Sequence, residues 1–447
     1  MSSPARLKIA VVGTGVSGLS AAWLLHPRHD VTVFEKAQRI GGHSNTVSAT
    51  AGGDRFAVDT GFIVFNPATY PNFVELLRVL EVESHASNMS FAVSLGGGSI
   101  EYSGSGVAGL FSQRSNLVRP RFWSMLGDLA RFYRQATRDA RRSEPGLGTL
   151  GQYLAAGRYG AAFRDHHILP MASAIWSAAP ADILNFPAEA FLRFHDNHGL
   201  LRLTGRPIWR TVAGGSRAYI ARLAEPLAGR VRVGVAVVCI ERVGGRVVVT
   251  DANRAQQAFD RVVVATHADE ALALLANPGA DERALLGAFR YSRNEAYLHL
   301  DEAFMPRRRG AWASWNHVGA GEKPDQASVT YWMNSLQKLP TATNVFVTLN
   351  PPRRPKDVLK VESYEHPIFD AGALHAQRSL WSLQDTGGVW FCGAHFGAGF
   401  HEDGLQAGVA VAEALGGVRR PWRVEKESSR ITTAQTAREI GLRREAA

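Results

Sequence analysis

The segment Ile9-Ala10-Val11-Val12-Gly13-Thr14-Gly15-Val16-Ser17-Gly18-Leu19 constrains this chain more than any other. Its apolar, largely β-branched start reads as a buried parallel strand, and Ser17 to Leu25 reads as the helix that follows. Between them lies G-x-G-x-x-G. Gly13 permits the tight turn, Gly15 lets a pyrophosphate approach the backbone, and Gly18 lets helix and strand pack closely. Ser17 opens the helix, whose unpaired N–H groups and dipole favour phosphate. Three spaced glycines mean little in a chain that holds 44 of them. Context gives them weight: a second strand, Val31 to Phe34, ends in Glu35, about 20 residues on, where an acid accepts ribose hydroxyls. Together these residues predict an adenine dinucleotide site within an α/β fold.

Glu35 and Lys36 lead directly into Gly41-Gly42-His43, and Asp59-Thr60-Gly61-Phe62 follows. Later come three strand-like runs, Val231 to Val238, Arg246 to Thr250 and Arg261 to Ala268. Val389 to Gly408 then reads as strand, glycine-rich loop and helix. These blocks resemble the FAD-binding flavoproteins of the amine oxidase, protoporphyrinogen oxidase and phytoene desaturase superfamily. Tyr331 to Gln337 and Gly399 to Gly404 are similar to a bacterial group of FAD/NAD-binding oxidoreductases associated with cyclopropane-fatty-acid-synthase-like enzymes. The resemblance implies FAD as cofactor and an α/β (α+β overall) architecture of the amine oxidase type. In it a Rossmann-like FAD-binding domain, residues 1–85, 205–268 and 370–417, interleaves with a sheet-plus-helices substrate domain, 86–204 and 269–369. Residues 418–447 form a basic tail. The implied cofactor contacts are Gly13, Gly15, Val16, Ser17, Gly18, Glu35, Lys36, Gly41, Gly42, His43, Thr60, Gly61, Val238, Gly393, Ala394, Gly404 and Leu405. Two of these depart from the family: His43 stands where amine oxidases usually have Arg, and Ala394 where Asp is usual.

At 447 residues the chain exceeds one hydrophobic core, and Asn88 to Tyr102, with Gly96-Gly97-Gly98 at its centre, reads as a hairpin. The chain has no apolar run near the roughly 20 residues that span a bilayer. Two cysteines, Cys239 and Cys392, are too few for a disulfide framework and suit a reducing cytosol. No Cys/His spacing suggests a metal site. The net charge of +10 is concentrated: residues 114–142 hold eight Arg and two Asp, interleaved with Phe122, Trp123, Met125, Leu126, Leu129, Phe132 and Tyr133. Such a helix either lies peripherally on the anionic inner face of a membrane or packs on the core with its cationic side in water. Both readings stay open. No nucleic-acid recognition motif accompanies the charge.

Flavin accepts a hydride, so the protein supplies position, dryness and a base. His401 and Glu402, in the segment expected beside the ring, are the candidates for proton transfer; the competing role for Glu402 is to cap the helix. Trp312, Trp315, Tyr331, Trp332 and Phe400 are candidates to line a substrate cavity. The expected reaction is dehydrogenation or desaturation of a lipid-like, modified fatty acyl chain. Amine oxidation is the alternative, although no Lys lies between Lys36 and Lys323, where such oxidases commonly place one near the flavin. A non-redox isomerase or structural flavoprotein is the third reading. A second dinucleotide fingerprint is missing, so electrons are expected to leave to oxygen, a quinone or a carrier protein.

Overall fold

Lys8–Val12 lies at the centre of a five-stranded, wholly parallel sheet, and its apolar side chains explain why. The strand order is Val389–Phe391, Arg261–Val264, Lys8–Val12, Asp30–Glu35, Val231–Val233. Ile9, Ala10 and Val11 are completely buried, as a strand covered on both faces requires. Two helices, Val16–Leu25 and His401–Ala414, pack together beside this sheet. Glycine lets them touch backbone to backbone: a Cβ added at Gly408 would stand 2.2 Å from the Ser17 carbonyl oxygen. A computed structural model describes residues 6–142, 146–176, 178–201, 205–323 and 328–434.

A second sheet has seven strands, in the order Val358–Ile368, Arg290–His299, Phe346–Leu349, Val329–Trp332, Trp315–Val318, Phe91–Leu95, Ile100–Ser103. Its last two strands form the hairpin expected from Asn88 to Tyr102, closed at Gly96–Gly98. Helices that include Pro120–Arg142, Leu169–Trp176 and Ala188–Asn197 join it in a separate core. The basic helix therefore packs by its apolar side: Phe122, Met125, Phe132 and Tyr133 are buried, whereas Trp123 is half exposed. The architecture is α/β, α+β overall, with a Rossmann-like layer and a sheet-plus-helices layer built from alternating stretches of chain.

The described part of the basic tail is clasped to this framework. Arg430 pairs with Asp403 at 2.5 Å, buried Arg420 pairs with Glu413 at 3.0 Å, and Trp422 stacks on Trp23 with centroids 6.4 Å apart. Residues 435–447 lie outside the described residues. Among the described residues no helix is long and apolar enough to cross a membrane.

Candidate active site

A cavity of about 1760 Å³ starts at the glycine turn and runs between the two layers. At its first end Gly13 has φ +104°, and a Cβ there would stand 2.8 Å from the Ala265 carbonyl oxygen. Gly15 caps the Val16–Leu25 helix without any side-chain cap, and a Cβ on it would meet nothing within 4 Å. Free helix N–H groups thus face open space, which is the arrangement that binds phosphate. Gly42, with φ +56°, comes so close that its Cβ would stand 3.1 Å from Gly15 Cα. The glycine pair and the glycine turn form one cradle.

Glu35 holds that cradle together, a role its position in the sequence does not disclose. One carboxylate oxygen accepts from the Thr14 N–H at 3.1 Å and from the Thr14 hydroxyl; the other accepts from the Ala37 N–H at 2.8 Å. Thr14 Oγ1 in turn accepts from the Gly41 N–H at 3.2 Å. Arg39 also lines the cavity and donates to the Gly42 carbonyl at 2.7 Å. It was missed as a contact, although a cation just before a glycine pair is a readable signal for a phosphate neighbour. His43 cannot serve as that cation. Burial, then His366 and His267, hold its imidazole well below the ordinary value, so it is neutral.

Val16, Ser17, Lys36, Thr60, Gly61, Gly393 and Ala394 all line the cavity. Lys36 is largely exposed and paired with Glu270 at 2.5 Å. Gly61 is pressed against His43, whose carbonyl oxygen would stand 2.3 Å from a Cβ there. Gly18, Gly404 and Leu405 do not line the cavity. The two glycines act by close packing: a Cβ at Gly18 would stand 2.0 Å from the Gly13 carbonyl oxygen, and one at Gly404 would stand 2.9 Å from Ser17 Oγ. Leu405 is core. Val238 is also corrected. It is half exposed, and the cavity is lined by Val235 and Val237, because neighbouring strand residues point to opposite faces.

His401 and Glu402 part company. Glu402 is completely buried and turned away from the cavity. Its carboxylate accepts from the Asn72 N–H at 3.1 Å, Asn72 Nδ2 at 2.8 Å, the Phe73 N–H at 3.0 Å and Gln406 Nε2 at 2.9 Å. It anchors the Pro71–Val79 helix and is not placed for proton transfer. Asp403, tied to Arg430 and to the Phe400 N–H, is turned away as well. Neither replaces the carboxylate missing at Ala394. His401 does line the cavity, stacked on Phe62 with centroids 3.8 Å apart. Its Nε2 lies 2.6 Å from the Tyr219 hydroxyl, which lies 2.5 Å from Ser44 Oγ. A proton can run either way along this relay, switching the imidazole tautomer and with it the function of Nδ1.

The substrate candidates also divide. Trp315, Tyr331 and Phe400 line the cavity; Trp312 and Trp332 do not. Trp315 pairs across the strands with Tyr331, so the adjacent Trp332 faces the other side and packs edge-on against Trp312 with centroids 5.3 Å apart. The indole N–H of Trp332 donates to Asn344 and that of Trp312 to the Pro306 carbonyl.

A model of the flavin containing amine oxidoreductase family matches residues 16–323. The chain belongs to that family. Members of that family are flavin-containing oxidoreductases, and the cofactor is FAD. Among curated relatives, the 4,4'-diapophytoene desaturase (4,4'-diaponeurosporene-forming) of Staphylococcus aureus is 42% identical over 66 residues, 14% of this chain and 12% of that relative. The match thus spans about an eighth of the relative's length. Among solved structures, cyclohexylamine oxidase from Brevibacterium oxydans IH-35A superposes with a TM-score of 0.67 at 16% identity, covering 92% of this chain and 100% of the other. A putrescine oxidase gives 0.66 at 15%, covering 92% and 99%. A CLA-producing fatty acid isomerase from P. acnes gives 0.63 at 16%, covering 93% and 99%. At these identities the likeness is one of fold.

The residues present fit FAD: an open helix N-terminus and the glycine pair for the phosphates, Glu35 at the ribose distance, and the start of the His401–Ala414 helix beside the Val16–Leu25 helix. Bound there, FAD supplies the hydride acceptor. The fit carries a prediction for Gly18. A methyl group 2.0 Å from a backbone oxygen costs about 1–3 kcal/mol to accommodate by moving the turn. Gly18→Ala is therefore expected to lower flavin affinity about 10- to 100-fold. Flavin absorbance per purified protein reads the effect, and wild-type occupancy in the variant refutes it.

Proposed function

We propose that this family member dehydrogenates or desaturates an apolar, lipid-like substrate, a fatty acyl chain. The observation that carries the reading is the charge of the cavity. Away from the glycine turn it is lined by Phe91, Leu126, Leu129, Met171, Trp176, Phe194 and Trp209. Among the described residues the acids lining it are Glu35, Glu270 and Glu365. All three belong to the dinucleotide end: Glu35 braces the turn, Glu270 pairs with Lys36, and Glu365 lies 3.4 Å from His267. In the apolar lobe the charged residue among those described is Arg206. An ammonium ion there would lose its hydration without a counter-ion and face a cation, at a cost of several kcal/mol. A hydrocarbon chain gains from the same surroundings. His401 Nδ1 would take the second proton, with Nε2 relayed through Tyr219.

Supply from a lipid surface agrees with this reading. Val107, Leu117, Val118 and Trp123 are exposed together with Arg114 and Arg121, and the helix beginning at Pro120 sends Leu126 and Leu129 into the cavity. Amine oxidation is the second reading, favoured by the family and by two of the structural neighbours. The isomerase neighbour favours a non-redox reaction on the same class of chain.

One experiment separates the three. The holoenzyme is mixed anaerobically with acyl lipids in anionic vesicles or with an amine panel, while flavin absorbance, vesicle co-sedimentation and double-bond position are followed. Bleaching by an acyl lipid is expected. Bleaching by amines alone, or a shifted double bond without net oxidation, would overturn the proposal.

A further inference from the structure

The apolar lobe holds one polar cluster that the flavin site does not use. Arg206, Tyr133 on the Pro120–Arg142 helix, and His167 all line the cavity. Arg206 hydrogen-bonds the Tyr133 oxygen. A tyrosine oxygen that accepts from a guanidinium keeps its own O–H to give. His167 is 8% exposed, and its Nε2 has no hydrogen-bond partner among the described residues. Its other ring nitrogen lies 3.0 Å from the Tyr102 hydroxyl, which donates to the His166 carbonyl at 2.8 Å. Tyr102 can then only accept from His167, so the imidazole hydrogen is on Nδ1 and Nε2 is a bare lone pair. That lone pair is shut off from solvent, so His167 is a neutral wall of the cluster.

We propose that Arg206 and Tyr133 bind the acidic head group, carboxylate or phosphate, of an apolar-chain substrate. This rests on the apolar-substrate reading above and adds the end by which the molecule is held. The planar guanidinium matches two oxygens of either acid, and charge-assisted hydrogen bonds are the strong ones. The Tyr133 O–H donates to an acid oxygen. The chain then follows Leu129, Met171, Trp176 and Phe194 to Phe400, which stacks on Phe194 with centroids 4.9 Å apart. A head group fixed at Arg206 sets which carbon reaches His401, so the cluster determines position along the chain as well as affinity.

Calorimetric titration of the holoenzyme with decanoic acid, decyl phosphate and methyl decanoate tests this. At least one acid is expected to bind about tenfold or more tightly than the ester, and the tighter acid identifies the head group. Arg206→Gln, on an exposed residue, should remove that advantage and leave ester binding unchanged; Arg206→Lys should restore part of it. Equal binding of acids and ester, or equal weakening of all three by Arg206→Gln, overturns the proposal. Its failure is distinct from failure of the oxidation reading. Arg206-dependent acid binding without flavin bleaching removes only the latter, and bleaching by esters independent of Arg206 removes only the former.

Discussion

Replacing His401 by Ala is expected to slow flavin reduction by about 10²–10⁴-fold, the usual contribution of a positioned proton-transfer group, while flavin content stays at the wild-type level. The separation is expected because His401 is stacked on Phe62 at the cavity wall and contributes nothing to the phosphate cradle. Burial holds its pKa down at about 3. The imidazole is therefore neutral through the physiological range, and the wild-type rate should show no break near 6.5, where a free histidine titrates. Tyr219 touches only Nε2 and acts as a positioning residue. Tyr219→Phe should cost about tenfold, with altered pH dependence, because the relay to Ser44 is cut. Rapid-mixing rates with the donor that bleaches wild-type flavin read both variants. A fully flavinylated His401→Ala protein reacting within about threefold of wild type would remove His401 from the chemistry.

Acidification from pH 7.5 to 5 is expected to destabilise the protein by an amount comparable to its whole folding free energy. Burial depresses His167, His195 and His366 to about 4 and His198, His395 and His401 to about 3. In the unfolded chain each returns to about 6.5. Between those values the unfolded chain binds more protons than the folded one, so stability is complete above about pH 6.5 and falls as pH drops toward the folded pKa values. Each pH unit in that window costs about 1.4 kcal/mol per histidine, which for several such residues approaches the usual 5–15 kcal/mol of total stability. Thermal melts of the holoenzyme should show Tm dropping steeply below pH 6.5, with flavin released in the same transition. A flat Tm from pH 7.5 to 5 would be the contrary result. The cause is local: these rings sit among Phe163, Phe191, Phe194 and Phe289, where a charge cannot be hydrated.

The residues from Ile9 to Glu35 declared the dinucleotide turn on their own, because strand, turn and helix there are set by neighbours in sequence. A continuous apolar run, glycine at positive φ and an open helix N-terminus are local requirements. The hairpin at Gly96–Gly98 was legible for the same reason. Side-chain direction was not, wherever it depends on chain far away. Glu402 and His401 are adjacent, and nothing between them says which faces the cavity; the Pro71–Val79 helix takes Glu402, and Phe62 with Tyr219 takes His401. Trp332 turns from the cavity because its neighbour Tyr331 is the one registered with Trp315. Arg206, Tyr133 and His167 come from three separate stretches of sequence and are unremarkable in each. Spacing along the chain thus determined a dinucleotide site, and the resemblance of the later blocks implied FAD. The wall that meets the substrate was decided by packing, since hydrocarbon surfaces attract without direction and only the folded arrangement selects which polar groups are left facing inward.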